Sequence, residues 1–168
     1  MIRRALILVP LFTISMIGYA WQTVVCQHDR LALFPLIVPD QKTDGGAIIC
    51  WVDQREDHFE IYAKGINGSD GSTASGWDSN GNVVSLPPSS FTPHGHRLNH
   101  VATYGNAGEI IIAWVNHHNL GTYGRGIYCQ NFKEGNPQWP KPNPQEGGIK
   151  ITNSTNPPAI CPDGTGGV

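Results

Sequence analysis

Two apolar runs dominate the hydrophobic pattern of the chain, Ala47–Asp53 and Glu109–Asn116. Each is short, continuous, rich in Ile and Val, and bounded by glycine and polar residues. Such runs are too short for helices with caps and predict strands buried on both faces. Residues 59–64 begin as an apolar/polar alternation, and residues 126–132 are their counterpart. Residues 35–38, 83–85, 99–103 and 149–152 predict shorter, outer strands. No stretch carries a helical period with caps. Pro87-Pro88 and the prolines at 137, 140, 142 and 144 mark loops. The pattern predicts an all-β chain.

The same landmarks then recur in order. Gly45-Gly46-Ala47-Ile48-Ile49-Cys50-Trp51-Val52-Asp53 aligns with Gly108-Glu109-Ile110-Ile111-Ile112-Ala113-Trp114-Val115-Asn116 at an offset of 63. Ile61-Tyr62 aligns with Ile127-Tyr128, Trp77 with Trp139, and residues 35–38 with 99–102, at offsets of 66, 62 and 64. A third occurrence starts near the end. Residues 158–163 match 35–40 at an offset of 123, and Gly166-Gly167-Val168 falls where Gly45-Gly46-Ala47 falls, at 121. A period of this length suits a sheet of three or four short strands with roomy loops. The expected organisation is a signal segment at 1–20, a lead strand at 21–33, repeat units at 34–97 and 98–156, and the start of a truncated third at 157–168.

Pro-x-Ile-x-x-Asp from Pro35 to Asp40, Gly-Gly-Ala-Ile-Ile-x-Trp-x-Asp-x-Arg from Gly45 to Arg55, Ile61-Tyr62-Ala63 and Gly81-Asn82 together carry a resemblance. The pattern resembles a β-propeller-like repeat of large secreted and cell-surface bacterial proteins. That resemblance implies an incomplete propeller-like array of antiparallel sheets, completed by the remaining blades of a longer chain. It implies architecture far more than one activity. Trp51 and Trp114 are expected on the innermost strands, packing between blades. The second unit departs from the pattern, with Asn116-His117-His118 where Asp53-Gln54-Arg55 stands.

Composition refines the setting. Met1-Ile2-Arg3-Arg4, an apolar run to Ile17 and the exit Gly18-Tyr19-Ala20 predict a secretory signal peptide. Membrane contact is expected only through an uncleaved form of that segment, so the expected location is secreted or cell-surface. Cleavage leaves 9 basic against 13 acidic residues, which gives no basic surface for nucleic acid. Gly and Pro make up 33 of 168 residues, the punctuation between short strands. Cys26, Cys50, Cys129 and Cys161 form no CxxC and predict either disulfides or buried thiols.

Candidate chemistry is sparse. His94, His96 and His100 form the densest imidazole cluster, and on an extended strand His94 and His96 share a side, as a Zn²⁺ or Cu²⁺ pair would. Asp53 and Arg55 sit in a carboxylate-rich turn and are, with Trp77 and Trp139, the candidate ligand-binding residues; the turn could also hold two groups for acid/base work. There Asp53 is expected to receive turn N–H groups while Arg55 pairs with a carboxylate. Trp77 and Trp139, with Tyr123, are expected as exposed stacking platforms on loops. No nucleophile elbow, HExxH or phosphate loop is present, and no cofactor is expected. The reading is a structural or binding module for a protein or carbohydrate ligand, rather than a catalyst. Its alternative is the N-terminal part of a propeller hydrolase such as a glycosidase.

Overall fold

The computed structural model describes residues 23–27, 32–42, 44–55, 59–85, 100–117, 125–139 and 148–168. Within them the chain is all-β, with no helix, and forms two antiparallel sheets that do not close on themselves. Among these residues no helix is long and apolar enough to cross a membrane. The expected signal segment lies outside them.

The first sheet has the order β1 (Ala32–Pro39), β2 (Ala47–Asp53), β3 (Glu60–Ile66), β4 (Asn82–Val83). The second has the order β5 (His100–Tyr104), β6 (Glu109–Asn116), β7 (Gly126–Lys133), β8 (Asn136–Pro137), with β9 (Ile149–Thr152) also paired to β7. Trp51 stands opposite Tyr62 in the first sheet, and Trp114 stands opposite Tyr128 in the second. Both Trp–Tyr pairs are stacked, with ring centroids 6.2 Å apart.

The two apolar runs become β2 and β6 with the expected bounds. Every residue of β6 is buried, because both of its faces are covered. Ile110, Ile112 and Trp114 point back into a cluster with Val38, Ile48, Cys50, Ile61 and Ala63 of the first sheet. The alternate residues Ile111 and Ala113 point the other way and join Cys129, Trp139 and Ile160. Period-two alternation thus gives one strand two separate cores.

β2 and β6 each lie second in their sheets, flanked on both sides; β1 and β5 approach one another between the sheets, where side chains of β6 also cluster with those of β2 and β3. Trp114 does sit in the inter-sheet cluster, whereas Trp51 faces the opposite side of its own sheet, towards Val25 and Cys26. Residues 23–27, within the expected lead strand, pair with no strand. They are held instead by Lys64, whose Nζ donates to the Val24 carbonyl at 2.8 Å, and by Gln27 N, which donates to Asn80 Oδ1 at 3.1 Å. β1 starts at Ala32 and runs across the expected unit boundary.

Three turns share one device, and two of them are the hairpins that lead into β2 and β6. Asp40 N donates to Gly46 O at 2.9 Å, Gly105 N to Glu109 O at 3.2 Å, and Asp163 N to Gly167 O at 3.0 Å. Gly45, Gly108 and Gly166 take positive φ in the three turns, at 69°, 79° and 93°. A side chain would be strained at such positions. A carboxylate caps each turn. Asp40 Oδ1 accepts from Lys42 N, Glu109 Oε2 from Asn106 N, and Asp163 Oδ1 from Thr165 N and Gly167 N. Asp40 Oδ1 also accepts from Gly108 N of the next sheet at 2.7 Å, tying one sheet's turn to the other's.

Candidate functional site

The sequence nominates Asp53 and Arg55, and the fold joins them in a closed clamp. Asp53 ends β2 with its side chain fully buried. Its Oδ2 accepts from Trp51 Nε1 at 2.8 Å and from Arg55 Nη2 at 2.6 Å, while Oδ1 accepts from Arg55 N at 2.9 Å. Arg55 Nη2 also donates to the Asn80 carbonyl at 2.8 Å. Its guanidinium lies 3.8 Å above the Tyr62 ring, a cation–π contact. The expected turn N–H and Arg55 pairing are both present, and they engage both carboxylate oxygens. This clamp fixes the end of β2 to the loop before β4.

In the second sheet the clamp is rebuilt from other parts. Lys150 of β9, opposite Tyr128 in register, places its Nζ 5.9 Å from the Tyr128 ring. Trp114 Nε1 is buried and has no hydrogen-bond partner among the described residues. Asn116 stands where Asp53 stands in the first sheet, and the aromatic–cation stack persists.

Trp77 is not an exposed platform. It is only 7% exposed, belongs to the inter-sheet cluster and lies against Gly65, where even a Cβ would meet its indole at 2.5 Å. Trp139 is half-buried. Its backbone N–H donates to Gln130 Oε1 at 3.1 Å, and the residue lines a cavity on the far side of the second sheet. Tyr123, His94 and His96 lie outside the described residues. His100 is buried at the start of β5, and no group of His, Cys, Asp or Glu suited to a metal ion occurs among the described residues.

The four thiols are free: Cys50 and Cys129 are buried in separate clusters, and Cys161 is exposed. Burial pushes the Cys50 and Cys129 thiols up to about 12. They behave as small hydrophobes.

The site that sequence reasoning missed is a cavity of about 560 Å³ lined by Phe34, Pro35, Leu36, His100, Val101, Pro157 and Pro158. It gathers residues of β1, β5 and the segment that follows β9. Phe34 holds φ at 53°, a left-handed conformation that costs a non-glycine residue about 1–2 kcal/mol, and its side chain is 53% exposed. The cause is a β-bulge between Leu33 and Leu36, where β1 slips register against β2. Phe34-Pro35 in front of an Ile/Val strand was the available signal, because Pro35 cannot donate to a ladder. No known protein family, curated protein or solved structure matches the chain.

Proposed function

We propose that the chain is a secreted or cell-surface module of β-propeller-like repeats, and that it binds a protein ligand rather than performing catalysis. The observation that carries this reading is the Phe34 cavity. A bulged, strained residue presents an exposed aromatic side chain at a pocket built by three segments far apart in the chain. Strain kept at a pocket mouth is a mark of a binding position. The lining is almost wholly apolar, with His100 as its one polar side chain, so it offers few of the hydrogen bonds that a sugar's hydroxyls require. An apolar peptide side chain fits that chemistry better. The engagement of both Asp53 oxygens by Trp51 and Arg55 speaks against acid/base work at that turn.

Selection of a displayed peptide library against the immobilised protein tests the reading. Apolar peptides should be enriched, and Phe34→Ser should abolish their capture while leaving the thermal midpoint within a few degrees. Capture that persists in Phe34→Ser, or selective capture of glycans in a parallel array, would overturn the assignment.

A further inference from the structure

We propose that Asn153 is an N-glycosylation site, accepting an oligosaccharide from a polyprenyl diphosphate donor on the folded chain, and that the acceptor tripeptide at Asn67 is closed to the same chemistry by its turn. The inference rests on the secreted reading, because such donors present their sugar away from the cytosol. It concerns neither the Phe34 cavity nor the Asp53 clamp.

Asn-x-Ser/Thr occurs twice in the chain, as Asn67-Gly68-Ser69 and Asn153-Ser154-Thr155. Transfer to such a tripeptide forms a bond between the Asn Nδ2 and C1 of the sugar while the bond from C1 to the diphosphate oxygen breaks. The diphosphate leaves with that electron pair, and Nδ2 gives up one proton to a base of the transferase. The enzyme must hold the Asn amide and the hydroxyl two residues on at the same time. Both side chains therefore have to be reachable, on backbone that can be lifted.

Asn153 meets those conditions. It directly follows β9 and is exposed, and residues 153–155 belong to no strand. The bonds around it are short-range: Ser154 N donates to Thr152 Oγ1 and Asn156 N donates to Ser154 Oγ, each at 3.2 Å. Neither ties down the Asn153 amide or the Thr155 hydroxyl. β9 is an outer strand of its sheet among the described residues, and Ile151 on it is 61% exposed. An oligosaccharide beside it would shield an edge that otherwise invites pairing with another chain.

At Asn67 the tripeptide is locked. Asn67 N donates to Ser72 O at 2.9 Å, and Gly71 N donates to Asn67 O at 3.0 Å, closing a loop at the end of β3. Nδ2, the atom that would attack, donates to Ser72 Oγ at 2.8 Å. Ile66 and Thr73 form a bridge at the base of the loop. Gly68 packs so closely on the turn before β2 that a Cβ there would run into the Asp44 carbonyl. Lifting Asn67 into an enzyme would break the three hydrogen bonds together.

The test incubates the purified, folded full chain with a polyprenyl-diphosphate oligosaccharide and an oligosaccharyltransferase whose requirement is the tripeptide alone. Peptide N-glycanase in heavy-oxygen water then leaves a labelled Asp at each occupied site, read by peptide mass. Asn153 should be occupied, and Asn67 should lie roughly tenfold or more below it. Peptides of residues 62–72 and 148–158 should both be modified, which places the difference in the fold. Ser72→Ala should raise occupancy at Asn67. Thr155→Ala should abolish it at Asn153 while leaving the thermal midpoint unchanged. Equal occupancy of the two sites on the folded chain, an unmodified Asn153, or rejection of the 148–158 peptide would overturn the proposal. Export is read separately, on the chain expressed with its own N-terminal segment. Retention in the cytosol would overturn the secreted reading and this modification with it. An exported chain left bare at Asn153 in the presence of donor and transferase would sink the modification alone.

Discussion

Three hydrogen bonds converge on the buried carboxylate of Asp53. It serves the Trp51 indole, the Arg55 guanidinium and the Arg55 backbone N–H at once. Removing one member of such a group leaves buried donors without an acceptor, a larger loss than any single bond is worth. Asp53→Ala should lower stability by about 2–4 kcal/mol in urea titrations. Arg55→Lys should lose less, because it keeps the charge but not the planar stack on Tyr62. The thiols give a second residue-scale expectation. With Cys50 and Cys129 pushed to about 12 by burial, their nucleophilic thiolate is scarce at neutral pH, while Cys161 is exposed. Iodoacetamide followed by peptide mapping should modify Cys161 in the native protein, with Cys50 and Cys129 reacting only after denaturation.

At the scale of elements, much was legible in the sequence. Ala47–Asp53 and Glu109–Asn116 announce themselves because strands buried on both faces leave an unbroken apolar run. Ile149–Thr152 was equally plain. The short strand Asn136–Pro137 was not, for two reasons. Pro137 argues against a ladder, and the turn is Glu134-Gly135 rather than Asn-Gly. Both turn residues take positive φ, 49° and 75°, the signature of a type I′ hairpin. Glu134→Asn should therefore stabilise the protein by about 0.5–1 kcal/mol in thermal unfolding. The Lys42–Glu134 pair it gives up is solvent-exposed and contributes little. The candidate site was legible only in part. Asp53 and Arg55 were found from the Trp-x-Asp-x-Arg spacing. Trp77 was misplaced, because an aromatic residue between Gly76 and Asp78 looks exposed until a second sheet arrives to cover it. The Phe34 cavity depends on a register slip between β1 and β2, and single-strand periodicity carries no record of pairing.

Over the whole molecule, carboxylates that cap turns set the response to acid. Burial alone would raise Glu109, but bonds from Asn106 and Asn131 and the Lys133 charge hold it below its ordinary 4.5. Hydrogen bonds from Ser72 hold Asp70 below 3.8, and those from Thr165 and Gly167 do the same for Asp163. A group whose folded value is depressed contributes its stability above the unfolded value and loses it as pH falls through the folded one. Stability should therefore be flat with respect to these groups above about pH 5 and fall progressively below pH 4.5. Urea midpoints across pH 3–7 check this, and Glu109→Gln should flatten the upper part of the decline.

The Asp40–Gly108 bond has a consequence for how the chain can be divided. Among the described residues the two sheets share no hydrogen-bonded ladder; packed side chains, the Lys42–Glu134 ion pair and this carboxylate-to-amide link join them. None of these contacts runs through residues 86–99. Co-expressed as separate polypeptides cut within that stretch, the halves should recognise each other and co-purify as a nicked, non-covalent heterodimer. Asp40→Ala should weaken their reassociation about tenfold or more, which a split-reporter titration would register directly.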